Sequence, residues 1–597
     1  MAALSRREFI ATTGALAGVF MLPHDVLAQA LAAPVAPSEI PTTLTQTIRL
    51  GQQTGSNYYQ LTYAAGEPYV PRIDVTGKEP DPSRTQHRRS LAYLGHFSDI
   101  HIIDAQTPGR LEPLIAVASA FIDASRPQDT MTVQVLSQMV AAMNAARRSP
   151  LTGAPMTAAI NTGDSADSMN QLELKWCIDA LDGATTVPNS GAIGQYQGVQ
   201  VWPEADYVFH PYDPDLNDFG TRGYPYLPDV LATAVDQRVI SPGLPVPWYT
   251  TYGNHDTLFM GNIQVEPGLQ AWAIGDKKNA EWPETTNMLV NWWATNGSMF
   301  QQMINVIRQK FTFTKGLYTV TPNPERKLFD QIGFMQAHLD SPATPGPVGH
   351  GFTQANIDNQ QTYWKADLTP WLRIYGVDTC NQVTGADGAV PQDQYDWLQN
   401  ELSQLASQNK LGIVCSHHNS VTLENPAQPS TGPTQNLIHA DEFVAMLQQY
   451  PNMIAWINGH THMNTITAHP KPGGGGFWEI TTASCVDYPQ QQQLIEVVDN
   501  RDGTLSIFTT TLDHDSPATW TPGDYSQRGL ASLSRTLSAN AWQFEPLPKI
   551  GSALDRNTEL LLPAPFDLSA ITDKALAQQH AQDQARLVAN EAKAVQQ

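Results

Sequence analysis

The chain has 597 residues, of which 41% are hydrophobic, 15% are charged and 14 are Trp, a composition that supports a large folded core and excludes disorder over most of its length. Its formal net charge of −23 excludes a broad electrostatic grip on nucleic acid or anionic lipid, which rests on clustered Lys and Arg. Length alone suggests about four domains, but long insertions account for the same length, and one large elaborated domain is the expectation.

At the amino terminus, Ser5-Arg6-Arg7-Glu8-Phe9-Ile10 forms a twin-arginine pattern. An apolar run from Ala11 to Leu22 follows, too short to span a bilayer comfortably, and then Ala28-Gln29-Ala30 as a cleavage candidate. Residues 1–30 are therefore expected to be a signal peptide read by the twin-arginine export machinery. The mature protein is expected to be periplasmic or extracellular, without a stable membrane anchor. Arg6 and Arg7 offset Glu8 and Asp25, so cleavage leaves the acidity unchanged. Residues 31–90, rich in Thr, Gln, Pro and Gly, read as an N-terminal extension lying over the core.

A strand is predicted near Leu91, running into Ser98-Asp99-Ile100-His101, and the pattern recurs along the chain. Met156–Ile160 leads to Gly163-Asp164-Ser165-Ala166-Asp167, and Val246–Thr251 to Gly253-Asn254-His255-Asp256. Leu411–Cys415 leads to Ser416-His417-His418, and Met453–Ile457 to Gly459-His460-Thr461-His462. Helical periodicity lies between them, over Gln392–Gln408 and Asp441–Gln449, so the fold class is α/β. Two stretches, near 185–245 and 260–365, break the repeat and read as insertions that form lids or walls around the site mouth, with Gly349-His350-Gly351-Phe352 either in the pocket or on a surface turn. Leu494–Val498 and Thr504–Thr510 read as a hairpin at a sheet edge, joined by Asp502-Gly503 and closing a core of residues 91–515. Residues 516–597 form a C-terminal extension whose last segment, from Asp573, is expected to be an exposed or frayed helix. Cys177, Cys380, Cys415 and Cys485 have no zinc-type spacing; export permits disulfides, whereas three of the four lie in apolar runs that favour buried thiols.

Taken in order, Asp99-x-His101, Gly163-Asp164-x-x-Asp167, Gly253-Asn254-His255-Asp256, a strand-end His and Gly459-His460-x-His462 resemble the calcineurin-like metallophosphoesterase family. The resemblance spans Asp99 to His462 and implies an α/β/β/α sandwich with long insertions around its active site. It further implies two divalent metal ions (Mn, Fe, Zn or similar). By analogy Asp99, His101, Asp164 and His462 hold one, Asp164, Asn254, His417 and His460 hold the other, and Asp164 bridges them. His417 and His418 follow the same strand and alternate faces; His417 is taken as the ligand, with His418 near the substrate or behind the ligands. In the family a metal-bound hydroxide attacks phosphorus in line, and a His, here His255, oriented by the Asp at position 167, protonates the leaving oxygen. Two dications against two ligating carboxylates make a local positive patch that attracts phosphate.

Ser168 stands where the protein phosphatases of this superfamily carry Arg, which disfavours a phosphoprotein substrate. The Asp-x-His start, and Asp167 where purple acid phosphatases carry Tyr, argue against a charge-transfer iron site. The expected function is hydrolysis of phosphate mono- or diesters on small molecules. The alternatives are an exported binding or scaffold protein without activity, and a nuclease, which the charge balance disfavours.

Overall fold

The computed structural model describes residues 40–116, 119–265, 267–281, 316–341, 345–429 and 434–594; the expected signal peptide and the middle of the second insertion lie outside them. Two sheets dominate. Their strands in chain order are β1 (Val70–Arg72), β2 (Arg89–Phe97), β3 (Ala158–Asn161), β4 (Trp248–Thr250), β5 (Trp364–Thr369), β6 (Leu372–Gly376) and β7 (Leu411–Cys415). Then come β8 (Met453–Asn458), β9 (Thr465–Pro470), β10 (Gly476–Thr481), β11 (Gln491–Asp499), β12 (Thr504–Asp513) and β13 (Thr558–Pro563). One sheet has the order β1-β13-β12-β11-β2-β3-β4 and the other β5-β6-β7-β8-β10-β9.

Alternation along the strands decides the layers. In the second sheet Ile374, Ile413, Ile457 and Ile480 join the large core shared with the first sheet. Residues of opposite parity on the same strands, Tyr375, Val414, Trp456 and Phe477, face away, onto Leu398 and Leu402 of helix Gln392–Ser403 and onto Phe443 and Met446 of helix Ala440–Leu447. On the far side of the first sheet lies helix Thr132–Ala145, tied to it where the Tyr93 hydroxyl donates to the Ala146 carbonyl at 2.8 Å. Helix Gln171–Asp182 packs beside it. The product is the expected α/β/β/α sandwich.

Three tryptophans stitch the sheets together. The indole N–H groups of Trp364, Trp371 and Trp478 donate to the carbonyls of Thr250, Leu91 and Leu561 at 2.9, 2.8 and 3.1 Å. Each buried indole thus brings apolar area and a satisfied donor across the interface.

Strands β2, β3 and β4 run parallel, as do β6, β7, β8 and β10, so both sheets direct carboxyl ends to one edge. A parallel bridge between Ser98 and Ser484 joins the sheets there. That edge is where α/β folds present chemistry.

Several expectations change. The β11–β12 hairpin is internal, with β2 on one flank and β13 on the other, because the tail supplies a strand that its short apolar run, Leu560-Leu561-Leu562, did not distinguish from a loop. The first sheet therefore draws strands from both sides of residues 91–515: β1 from the N-terminal extension pairs in parallel with β13. The extension also folds a hairpin, Gln46–Gln53 with Tyr59–Ala65. The insertion near 185–245 is not a lid. Phe209, Phe219, Tyr224 and Leu231 build a second core with Leu530, Leu533 and Leu537 of helix Gln527–Asn540. His350 is buried, its ring 3.5 Å from that of Trp248 and its Nδ1 3.0 Å from His338 Nδ1, and so neither lines the site nor makes a surface turn. All four cysteines are buried free thiols. Among the described residues no helix is long and apolar enough to cross a membrane.

The terminal helix, Asp573–Ala594, is docked rather than frayed. Leu576 and Leu587 enter the main core, and Asp583 accepts from Thr157 at 3.2 Å. Leu587→Ala should accordingly lower stability by about 2–5 kcal/mol in urea unfolding, the cost of a core cavity; an unchanged midpoint would mean that the helix does not dock.

Candidate metal centre

The predicted side chains leave their strands through backbone that L-residues rarely adopt. Asp99, His101, Asp164, His460 and His462 have φ of 51, 45, 54, 69 and 56°. Each such residue costs on the order of 1–3 kcal/mol and persists only where its surroundings over-determine it. Here the surroundings do. The amides of Asp99 and His101 donate to the Gly163 and Asp164 carbonyls at 3.1 and 2.9 Å, and the Cys485 amide donates to the Asp99 carbonyl at 3.1 Å. The Asp256 carboxylate accepts from the amides of Ser165, Ala166 and Gly253 at 3.0, 3.1 and 3.1 Å, which staples the Asp164 turn to the Asn254 turn. Burial and the charge of Asp164 raise the Asp256 pKa to about 7 against those three donors.

Two glycines are required by close approach. A Cβ at Gly253 would collide with the Asp164 carboxylate and amide, and one at Gly459 with Ser98 Oγ and Asp99 Oδ2. Both motif glycines exist so that two strand-end turns can touch.

The seven expected ligands converge. Asp164 Oδ2 lies 3.3 Å from His101 Nε2 and 3.2 Å from His417 Nε2. Asp99 Oδ1 lies 3.3 Å from His462 Nε2. Asn254 Oδ1 lies 2.9 Å from His417 Nε2 and 3.1 Å from His460 Nδ1. Asp164 therefore stands between one set with Asp99, His101 and His462 and another with Asn254, His417 and His460. Outward-facing partners set the ring orientations. His101 Nδ1 meets Asp167 Oδ1 at 3.1 Å, His417 Nδ1 donates to the Thr162 carbonyl at 2.9 Å, and His462 Nδ1 meets Asp487 Oδ2 at 2.7 Å. With each Nδ1 so engaged, the three Nε2 atoms point inward, the arrangement that orients imidazole ligands on a metal.

This donor set fits first-row divalent ions. Asp99 Oδ1 and His101 Nε2 are buried without a hydrogen-bond partner. Burial opposes charge on His101 and His417, but Asp164 and its neighbouring carboxylates outweigh it and push the imidazoles up to about 10 and about 9. Asp99 and Asp164 are held below the usual carboxylate range, their burial outweighed by facing imidazoles. The pocket thus demands positive charge at its centre.

His255 stands beside the cluster, its ring 4.6 Å from that of His101 and its amide donating to Asp164 Oδ1 at 2.8 Å. Its Nδ1 donates to the backbone carbonyl of Asp167 at 2.5 Å. This corrects the expectation that the Asp167 carboxylate orients it: that carboxylate faces His101 and accepts from Arg110 Nε at 2.9 Å. Burial lowers the His255 pKa; Asp164 pulls the other way, and His101 reinforces burial. In the metal-free protein this shift favours the neutral ring. The His418 ring lies beside those of His417 and His460, within reach of a shared ion, but both of its nitrogens have other partners. Its Nε2 donates to the Ala386 carbonyl at 2.7 Å and its Nδ1 accepts from Thr379 Oγ1 at 2.9 Å.

Arg110, Arg126 and Asp487 were not foreseen. No motif spacing marks the arginines, and Asp487, six residues past the end of β10, belongs to no strand-end motif. Beside the cluster a cavity of about 160 Å³ runs past His255 between Leu114, Phe121, Met260, Ile263 and Arg126. Three residues from the second insertion, Met260, Asn262 and Ile263, are on its wall, as expected of an insertion near the site mouth.

No family model matches the sequence, and no curated protein matches it. Among solved structures, a dimetal phosphatase from Danio rerio is similar at 9% identity and a TM-score of 0.32, covering 72% of this chain and 100% of that one. A purple acid phosphatase from yellow lupin (Lupinus luteus) seeds is similar at 10% identity and a TM-score of 0.26, covering 76% of this chain and 54% of that one. At those scores the superpositions assign no chemistry to this chain.

Two outcomes are expected. The raised pKa values of His101 and His417 mean that, without metal, their contribution to stability is full below about pH 6.5 and is lost as pH rises through 9 to 10. A divalent ion must displace these protons, so its affinity should rise with pH over that interval, with proton release at pH 7 visible by calorimetry in buffers of different ionisation enthalpy. Gly253→Ala should abolish metal uptake, read by elemental analysis, since Asp164 has to move to admit the methyl group.

Proposed function

We propose that the chain is an exported, metal-dependent hydrolase of phosphate mono- or diesters on small molecules, working at a binuclear centre of the calcineurin-like metallophosphoesterase kind. The convergence of Asp99, His101, Asp164, Asn254, His417, His460 and His462, with Asp99 Oδ1 and His101 Nε2 buried and without a hydrogen bond, is the observation that carries this reading. Two bound divalent ions (Mn, Fe, Zn or similar) would supply a water of lowered pKa and neutralise the oxygens of the phosphoryl group under attack.

The remaining work falls to side chains. Asp164 separates the two ligand sets, and Asp99 and Asn254 complete one set each. Asp167 holds His101 and, through its carbonyl, His255. With its Nδ1–H committed to that carbonyl, His255 can hold or move a proton only at Nε2, so Nε2 is the atom assigned to the leaving oxygen. The cavity of about 160 Å³ is well below the roughly 300–1,000 Å³ of common ligand pockets, which supports a small substrate over a polymer. Residues 1–30 support export by the twin-arginine machinery.

Hydrolysis of an aryl phosphate and of its diester should vanish on chelation and return with added metal; no metal-dependent turnover of either would sink the reading. His255→Ala should keep its metal and lose about 10²- to 10⁴-fold in rate, most for poor leaving groups, whereas Asp164→Ala should lose metal as well. If His255→Ala emptied a metal position instead, the proton-transfer role would be wrong.

A further inference from the structure

The Asp487 carboxylate lies outside the motif span, yet three groups meet on it. Its Oδ2 faces His462 Nδ1 at 2.7 Å and accepts from Lys549 Nζ at 3.0 Å, while its Oδ1 accepts from Arg126 Nε at 2.8 Å. The Asp487 amide is itself fixed by Ser484 Oγ at 2.9 Å. The Asp487 and Arg126 side chains are only 3% and 1% exposed, and that of Lys549 18%. Arg126 reaches further: its Nη1 lies 3.9 Å from Asp167 Oδ1, the oxygen that faces His101. One guanidinium therefore spans the two carboxylates that orient His101 and His462.

Lys549 comes from the C-terminal extension, in the short turn Pro548–Ile550. This turn is clamped to the loop after His462, where the Asn464 amide donates to the Lys549 carbonyl at 3.1 Å and Asn464 Nδ2 donates to the Ile550 carbonyl at 3.3 Å. The Phe544 ring lies 5.3 Å from the Arg126 guanidinium and 5.8 Å from Lys549 Nζ, which holds both cations against one apolar face. Arg126 alone would neutralise Asp487. The second cation engages the same oxygen as His462, and this restricts the carboxylate to the rotation in which His462 Nε2 points at Asp99.

We propose that Asp487, held by Arg126 and Lys549, is a positioning residue for His462, so that the C-terminal extension is a working part of the metal centre. The inference rests on the metal-centre reading above. It concerns the metal position that contains His462 and leaves the Asn254, His417 and His460 set untouched.

The test is titration of the full-length chain, stripped with chelator, with Mn²⁺ alone, followed by calorimetry and elemental analysis. Lys549→Met should weaken one of the two Mn²⁺ affinities about tenfold, and Asp487→Asn about 10- to 100-fold, with the other affinity at its wild-type value. Lys549→Arg should restore binding. The melting temperature of the stripped Lys549→Met protein should match that of stripped wild type, as a merely structural role for Lys549 would not predict. Wild-type affinities at both positions in both variants would overturn the proposal, as would equal loss at both. Wild type that binds no Mn²⁺ would overturn the metal-centre reading itself, and the wild-type titration separates that result from the others.

Discussion

The Asp164 carboxylate sets the spacing of every other group at the strand edge. One of its oxygens receives the His255 amide, while the other lies between His101 and His417, which come from opposite sheets. A buried carboxylate so placed is tenable only with compensating positive charge, and the flanking imidazoles are driven toward protonation to supply it. Two metal ions would do the same more strongly. The residue is itself in a left-handed conformation, against Gly253 and beneath the staple of Asp256, so backbone and charge constraints act on one turn.

Around that turn the protein concentrates strain and relieves it by connection. Five non-glycine residues with positive φ sit within two strand-end loops of one sheet and one of the other. The stability that tolerates them comes from elsewhere: the tryptophan stitches between the sheets, the helical layers and the docked terminal helix. A centre with such geometry needs a rigid frame, since a shift of an ångström would separate donors now about 3 Å apart. The segments outside the motif span belong to that frame. The tail gives a strand, a helix and Lys549, and the N-terminal extension gives an edge strand.

Much of the site was readable because its signals are local. A strand that ends in Gly-Asp, Gly-Asn-His-Asp or Gly-His-x-His carries turn former, donor and strand within ten residues, and period-two apolarity announces each strand. The choice between His417 and His418 was not readable from alternation, because both follow one strand and both rings stand beside His460. What failed was non-local. The His255 partner is the Asp167 carbonyl because His101 and Arg110, the latter from a distant loop, occupy the carboxylate. The insertion near 185–245 read as a lid because its apolar residues show no period, and the helix it packs on lies about three hundred residues further along.

The sequence by itself determined the fold class, the five strand ends and the set of side chains that meet there, because strand periodicity and turn chemistry act over a few neighbouring residues. Only the tertiary structure decided which nitrogen of each histidine points inward, that Asp256 staples two turns, and that Arg126 and Lys549 converge on Asp487 behind His462. Those choices depend on which distant segments share a buried space. Long-range packing settles that, because a buried polar group takes whatever partner the fold brings within reach.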